Sequence, residues 1–194
     1  MRWSLILWQT PSEPSRYRVA VWRQLRRSGA VPLVSGAWVV PADAAFQPDV
    51  DRAAQLCREA GGTFAVIDAS PRDDASAAMI TDAYRLVRID EWAEFEADCS
   101  KFEAEIAREI DKQKFTFAEL EEEEQSLSRL KRWYRDLKKR DVLGLAEAKA
   151  AEERLRGCTT ILDGYAEQVY ATVQATALPD IPADENQKRQ TRKE

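Results

Sequence analysis

Apolar and polar positions alternate along this chain in two different rhythms. Trp3–Trp8 (WSLILW) is a continuous apolar run of strand length, which predicts a central strand buried on both faces. Gln9–Pro14 is loop, and Ser15 is a candidate helix cap. In the next stretch, at about 100° per residue, Tyr17, Val21, Trp22 and Leu25 fall on one side of a helix. Gly29 ends that helix, as a residue free to take positive φ. Short strands at Ala30–Val34 and Ala37–Val40 follow around Ser35-Gly36, and Pro41 stops the second. A second helix is expected over Val50–Ala60, closing on Gly61-Gly62, and a fourth strand over Thr63–Asp68.

From Asp73 the rhythm is helical. Ala77–Ile110 carries Ile80, Tyr84 and Val87, then Trp92, Phe95, Cys99, Phe102 and Ile106 at a/d-like spacing. Thr116-Phe117-Ala118-Glu119 is a capping box opening a helix whose apolar face is Leu120, Leu127, Leu130, Tyr134 and Leu137. A last helix, Ala146–Ala175, places Leu155, Cys158, Leu162, Tyr165 and Val169 on one stripe. The fold class expected is therefore α+β. A βαββαβ unit of ferredoxin-like plan (1–72) precedes an antiparallel three-helix bundle (73–178), with a disordered polar tail over 179–194.

Composition narrows the chemistry. The 194 residues contain no His, which removes imidazole bases, Ser-His-Asp triads and most zinc sites. No catalytic residue, metal site or cofactor is expected. Three Cys at distant positions make no disulfide framework. Cys99 and Cys158 sit on apolar stripes and read as core thiols, whereas Cys57, on a short helix, reads as more exposed and is the candidate thiol sensor. The opening MRWSLILWQTP has too short an apolar run for a signal peptide, and nothing has the length of a membrane span, so a cytoplasmic protein is expected.

The net charge of −5 is unevenly spread: residues 1–40 hold six Arg and a single acidic residue, Glu13. Arg16, Arg23 and Arg27 lie within about 40° of one another on the first helix, opposite its apolar face. Arg26 lies beside them. Such a stripe suits phosphate contact, against the bland reading of a solvated face. Arg18 falls toward the apolar side, either snorkelling past Trp22 or pairing with a carboxylate such as Asp68. Lys131, Arg132 and Arg135 extend the candidate nucleic-acid surface. The acidic run Glu119–Glu124 suits the start of its helix and calls for no metal.

The stretch Trp3–Pro41 resembles the N-terminal domain of ChrB, the chromate-resistance regulator: an apolar strand with Trp, then Arg-x-x-x-Trp-Arg-x-Leu, then Gly-Ala and a second Trp strand ending in Pro. Arg18, Trp22, Arg23, Leu25, Gly29, Ala30, Trp38 and Pro41 carry the pattern. Lys114–Asp141 and the Cys158–Tyr170 helix continue the likeness. The first stretch is also similar to the middle domain of PaaX-type repressors and to the small ferredoxin-like subunit of CRISPR adaptation complexes. Those CRISPR relatives carry a metal-binding Asp at the end of the first strand, where this chain has Gln9 and Thr10. Longer ChrB proteins continue into a second domain, which is expected to begin where this chain ends.

The resemblance implies a non-enzymatic, dimeric regulator of chromate resistance that binds DNA through the Arg stripe. Chromate itself is a partner that no residue pattern here supports. The competing readings are an interaction scaffold built on the helices and a nuclease-like or chromate-handling enzyme. A neighbouring helix covering the Arg stripe would favour the scaffold.

Overall fold

Over residues 1–177, which the computed structural model describes, every expected element forms in the expected order. They are β1 (Trp3–Gln9), α1 (Ser15–Arg27), β2 (Val31–Val34), β3 (Ala37–Pro41), α2 (Gln47–Glu59), β4 (Thr63–Ala69), α3 (Asp74–Asp111), α4 (Phe117–Arg140) and α5 (Ala146–Ala177). The tail expected over 179–194 lies outside the described residues. Among those described, no helix is long and apolar enough to cross a membrane.

The strands form one antiparallel sheet in the order β2-β3-β1-β4, the ferredoxin-like arrangement. β1 is central, with Ile6 opposite Trp38 and Val66, and Leu5 opposite Val39 and Ile67. Because side chains alternate across a strand, this register sorts the core into two layers. Ile6, Trp38 and Val40 face α1 and α2, meeting Val21, Leu25, Val50, Ala53 and Cys57. Trp3, Val31 and Val39 face the other way and meet Tyr84 of α3, with Ile80 and Val87 packed at the margin. The Trp3 and Tyr84 rings tilt at 60° with centroids 5.3 Å apart. The start of α3 thus covers the Trp3 end of the sheet's second face. β1 is not buried on both faces throughout, because Leu7 lies past that cover and is exposed.

Two starts differ from expectation for local reasons. α2 begins three residues early because Pro48 fits its first turn, where no N–H is required. α1 begins at Ser15 without a side-chain cap, so Ser15 is a first-turn residue rather than the cap. The capping Thr116 does act as expected: its hydroxyl accepts from the Glu119 N–H at 3.3 Å. The Glu119 carboxylate instead takes Lys114.

The remainder of α3 joins α4 and α5 in a bundle. Its core is Trp92, Phe95, Cys99, Phe102 and Ile106 with Leu120, Leu127, Leu130, Leu137, Leu155, Cys158, Leu162, Tyr165 and Val169. Phe95 stacks edge-on against Trp133, and Tyr165 Oη donates to the Lys114 carbonyl at 2.5 Å, tying α5 to the α3–α4 turn. Cys99 and Cys158 are free thiols without solvent exposure in this core, as expected. The neighbouring Cys158 sulfur, together with burial, pushes the Cys99 thiol far up.

The acidic run is less bland than its sequence suggests. Glu123 is buried, and burial followed by the charges of Glu105 and Glu122 raises its pKa above the ordinary value of 4.5. Because folding raises this pKa, the ionised carboxylate costs the folded state stability, and that cost disappears as pH falls toward 4.5. Glu123→Gln should therefore raise the melting temperature at pH 7, and the gain should disappear below pH 4.5. Thermal melts across that range check this; a Gln variant less stable at neutral pH would contradict it.

Candidate functional site

The site is built on α1. Val21 and Leu25 are fully buried and hold the helix to the sheet. Gln24 fixes its roll by donating to the Asp49 carbonyl (3.2 Å) and to Asp49 Oδ1 (3.0 Å) on α2. The C-terminus closes in a Schellman motif: Ala30 N–H donates to the Leu25 carbonyl and Gly29 N–H to that of Arg26. Gly29 takes φ +82° there, a conformation costly for a residue with Cβ. Arg26 and Arg27 occupy the last turn, where the carbonyl end of the helix favours cations.

With Val21 and Leu25 inward, Arg16, Arg23 and Arg27 are exposed on the far side, uncovered by any neighbouring helix among the described residues. None of Arg16, Arg18, Arg23, Arg26 and Arg27 forms an ion pair with a carboxylate among the described residues. Arg26 is half-buried, its guanidinium 5.7 Å from the Trp22 ring centre. Arg16 lies 5.0 Å from the Tyr17 ring centre.

Four residues sit differently from the sequence reading. Trp22 does not anchor the helix; it is 46% exposed. Val21 and Leu25 centre the buried arc, and Trp22 falls about 100° from Val21, over the rim. Tyr17 is likewise exposed, because it precedes the part of α1 that lies on the sheet. Arg18 is exposed and does not pair with Asp68, which instead accepts from the Ser4 hydroxyl at 2.7 Å and faces Arg2 at 4.0 Å. Cys57 is not more exposed than the other thiols: it has no solvent exposure, and its Sγ lies 3.3 Å from the Thr63 carbonyl and 3.5 Å from that of Gln9. Burial pushes this thiol up, so it is neither accessible nor activated. Of the remaining motif positions, Trp38 is buried in the sheet's helical face.

The candidate residues of α4, Lys131, Arg132 and Arg135, are exposed. What joins this helix to α1 is Arg140, whose Nη1 lies 3.4 Å from the Arg26 carbonyl and 3.1 Å from Glu91 Oε1. Lys131 lies about 13 Å farther along α4, so this contact joins the two helices without placing Lys131 beside the α1 stripe.

The sequence reading missed the cluster behind this contact. Arg88, 2% exposed, donates through Nη1 to the Gly29 carbonyl at 3.1 Å and to Tyr84 Oη at 3.3 Å. Its Nε lies 3.0 Å from Glu91 Oε2, at ion-pair distance but without hydrogen-bond alignment. Tyr84 Oη in turn donates to the Arg140 carbonyl at 2.6 Å. Two guanidinium groups, with one carboxylate between them, thus hold the carbonyl end of α1. The available signal was the five-residue step from Val87 to Trp92, which breaks the apolar stripe around an Arg–Glu pair spaced i, i+3.

At the end of β1, Gln9 and Thr10 stand without an acidic neighbour from their own strand. The described residues contain no group of three or more Cys, Asp or Glu placed to hold a metal ion.

A family model described as "Protein ChrB, N-terminal" matches residues 18–176. No curated protein matches the chain. The match begins inside α1 at Arg18, and runs through the remaining sheet strands and the helical bundle to the end of α5. It includes Arg18, Trp22, Gly29 and Trp38. The chain therefore belongs to the ChrB N-terminal family, as a regulator-like protein associated with chromate resistance.

Proposed function

We propose that the protein is a non-catalytic cytoplasmic regulator that binds DNA by laying α1 along the phosphate backbone. Arg16, Arg23 and Arg27 make the primary contacts, Arg26 supports them, and Lys131, Arg132 and Arg135 extend the surface along α4. The observation that carries this reading is an uncovered Arg stripe, free of carboxylate partners among the described residues, in a chain of net charge −5. Charge this concentrated in an acidic protein is suited to neutralising phosphate and releasing counterions. An interaction scaffold is disfavoured because no helix among the described residues covers the stripe.

The regulator works as a homodimer paired through β4. The two sheet edges differ sharply: β2 is short, carries Pro32 and is irregular, whereas β4 is seven residues long with exposed Val66 and Ile67. An unprotected apolar edge is a template for another strand, and antiparallel pairing of β4 with its copy satisfies two-fold symmetry. By light scattering, Ile67→Lys should be monomeric; a wild-type monomer removes this part of the reading.

The DNA contact is tested by fluorescence anisotropy with duplex from upstream of the protein's own coding region, at several salt concentrations. Arg16→Ala, Arg23→Ala and Arg27→Ala should each leave stability within about 0.5 kcal/mol. Each should weaken binding to all sequences alike and lower the salt slope by about one unit. Unchanged affinity in all three would place the scaffold reading ahead.

A further inference from the structure

A second concave feature adjoins α1 on the side away from the Arg16–Arg23–Arg27 stripe. It is a pocket of about 590 Å³ between the end of β1 (Trp8, Gln9, Thr10), the helix face Arg18–Val19–Trp22, the β2–β3 turn (Ser35, Gly36) and Trp38. That volume is in the range of small-molecule sites. Three indoles and Val19 give it flat apolar walls, and Trp22 is the largest exposed apolar side chain of α1.

Each of its polar side chains can donate, and none carries a negative charge. Arg18 is the only charged residue in the lining and has no carboxylate partner among the described residues. Trp8 Nε1 and Thr10 Oγ1 are buried atoms without a hydrogen-bond partner. Orphaned buried polar atoms are uncommon in folded proteins and call for an explanation. The indole N–H can only donate, and the guanidinium can only donate. A partner that answers the guanidinium is an acceptor with negative charge.

We propose that this pocket binds a small aromatic carboxylate. Its ring packs against the indole walls, and its carboxylate accepts from Arg18. A compact inorganic oxyanion would satisfy the donors and leave the walls bare. The proposal is independent of the DNA reading, since it uses none of the three stripe arginines.

The probe is 2-naphthoate, titrated into the full chain by isothermal calorimetry, with 2-naphthamide and acetate as separate controls for charge and ring. Saturable one-to-one binding is expected, weakened at least tenfold for the amide and lost for acetate. Arg18→Gln and Trp22→Ala should each weaken naphthoate binding at least tenfold; both side chains are exposed, so the fold persists, as circular dichroism would verify. Arg16→Ala/Arg23→Ala/Arg27→Ala should bind naphthoate like wild type, whatever it does to DNA binding. The proposal is overturned by no saturable binding at millimolar naphthoate, by equal binding of acid and amide, or by an unchanged affinity in the Arg18 and Trp22 variants. Displacement by equimolar sulfate would overturn it too, by showing an oxyanion site.

Discussion

Glu91→Ala should be among the most damaging single changes in this protein, costing about 3–5 kcal/mol. Glu91 is 7% exposed and is the carboxylate between Arg88 and Arg140, at 3.0 and 3.1 Å. Removing it leaves two guanidinium groups facing each other, one of them almost without access to water. The loss of a partner is costly because the remaining charge stays buried, whereas removal of the whole pair is not. Arg88→Met/Glu91→Leu should therefore be closer to wild type than Glu91→Ala, an ordering opposite to the number of substitutions. At about 2–4 °C per kcal/mol for a chain of this size, the single variant should melt about 10 °C lower. Hydrogen exchange should first accelerate at Ser28–Ala30, because Arg88 and Arg140 hold the carbonyls of Gly29 and Arg26. A Glu91→Ala variant melting within a degree of wild type would show that the cluster contributes nothing net.

The second large effect separates two adjacent glycines. Gly61 ends α2 with φ +71°, and a Cβ added there would meet nothing within 4 Å. Gly61→Ala should cost about 1–2 kcal/mol, from backbone conformation alone. A Cβ on Gly62 would lie 2.4 Å from the Gln9 carbonyl oxygen, 2.8 Å from Cys57 Sγ and 3.0 Å from the Cys57 carbonyl oxygen. Two of these are backbone atoms, so no rotamer change relieves the overlap. Gly62→Ala should cost about 3 kcal/mol or more, at the upper end of overpacking effects. Because Gln9 lines the aromatic pocket, the displacement would propagate there as well. Urea denaturation of the two variants decides the matter, and equal costs would refute the steric account.

Element type and order were legible in the chain because they depend on local patterning. The step from short strand-length runs to a/d spacing at Asp73, the glycine after α1 and the Thr116 cap each act within a few residues, and each appears in the structure. The exposed Arg16–Arg23–Arg27 stripe was legible for the same reason, since helical geometry alone sets those three side by side. Helical periodicity, however, gives angles and not neighbours. It placed Trp22 and Arg18 near the apolar arc, but only the position of α1 on the sheet decided that burial stops at Val21 and Leu25. The same limit hid Cys57, whose burial depends on Gln9, 48 residues away, passing over it. α3 reads as one stripe, yet Tyr84 belongs to the sheet and Trp92 to the bundle, because a 38-residue helix outreaches the first layer it packs on. Arg88 looks like a surface charge until Gly29 and Arg140 arrive from 59 and 52 positions away to close around it. Burial of charge is a property of packed elements and not of any stretch of sequence, so that cluster and the pocket beside Trp22 were decided by the tertiary fold alone.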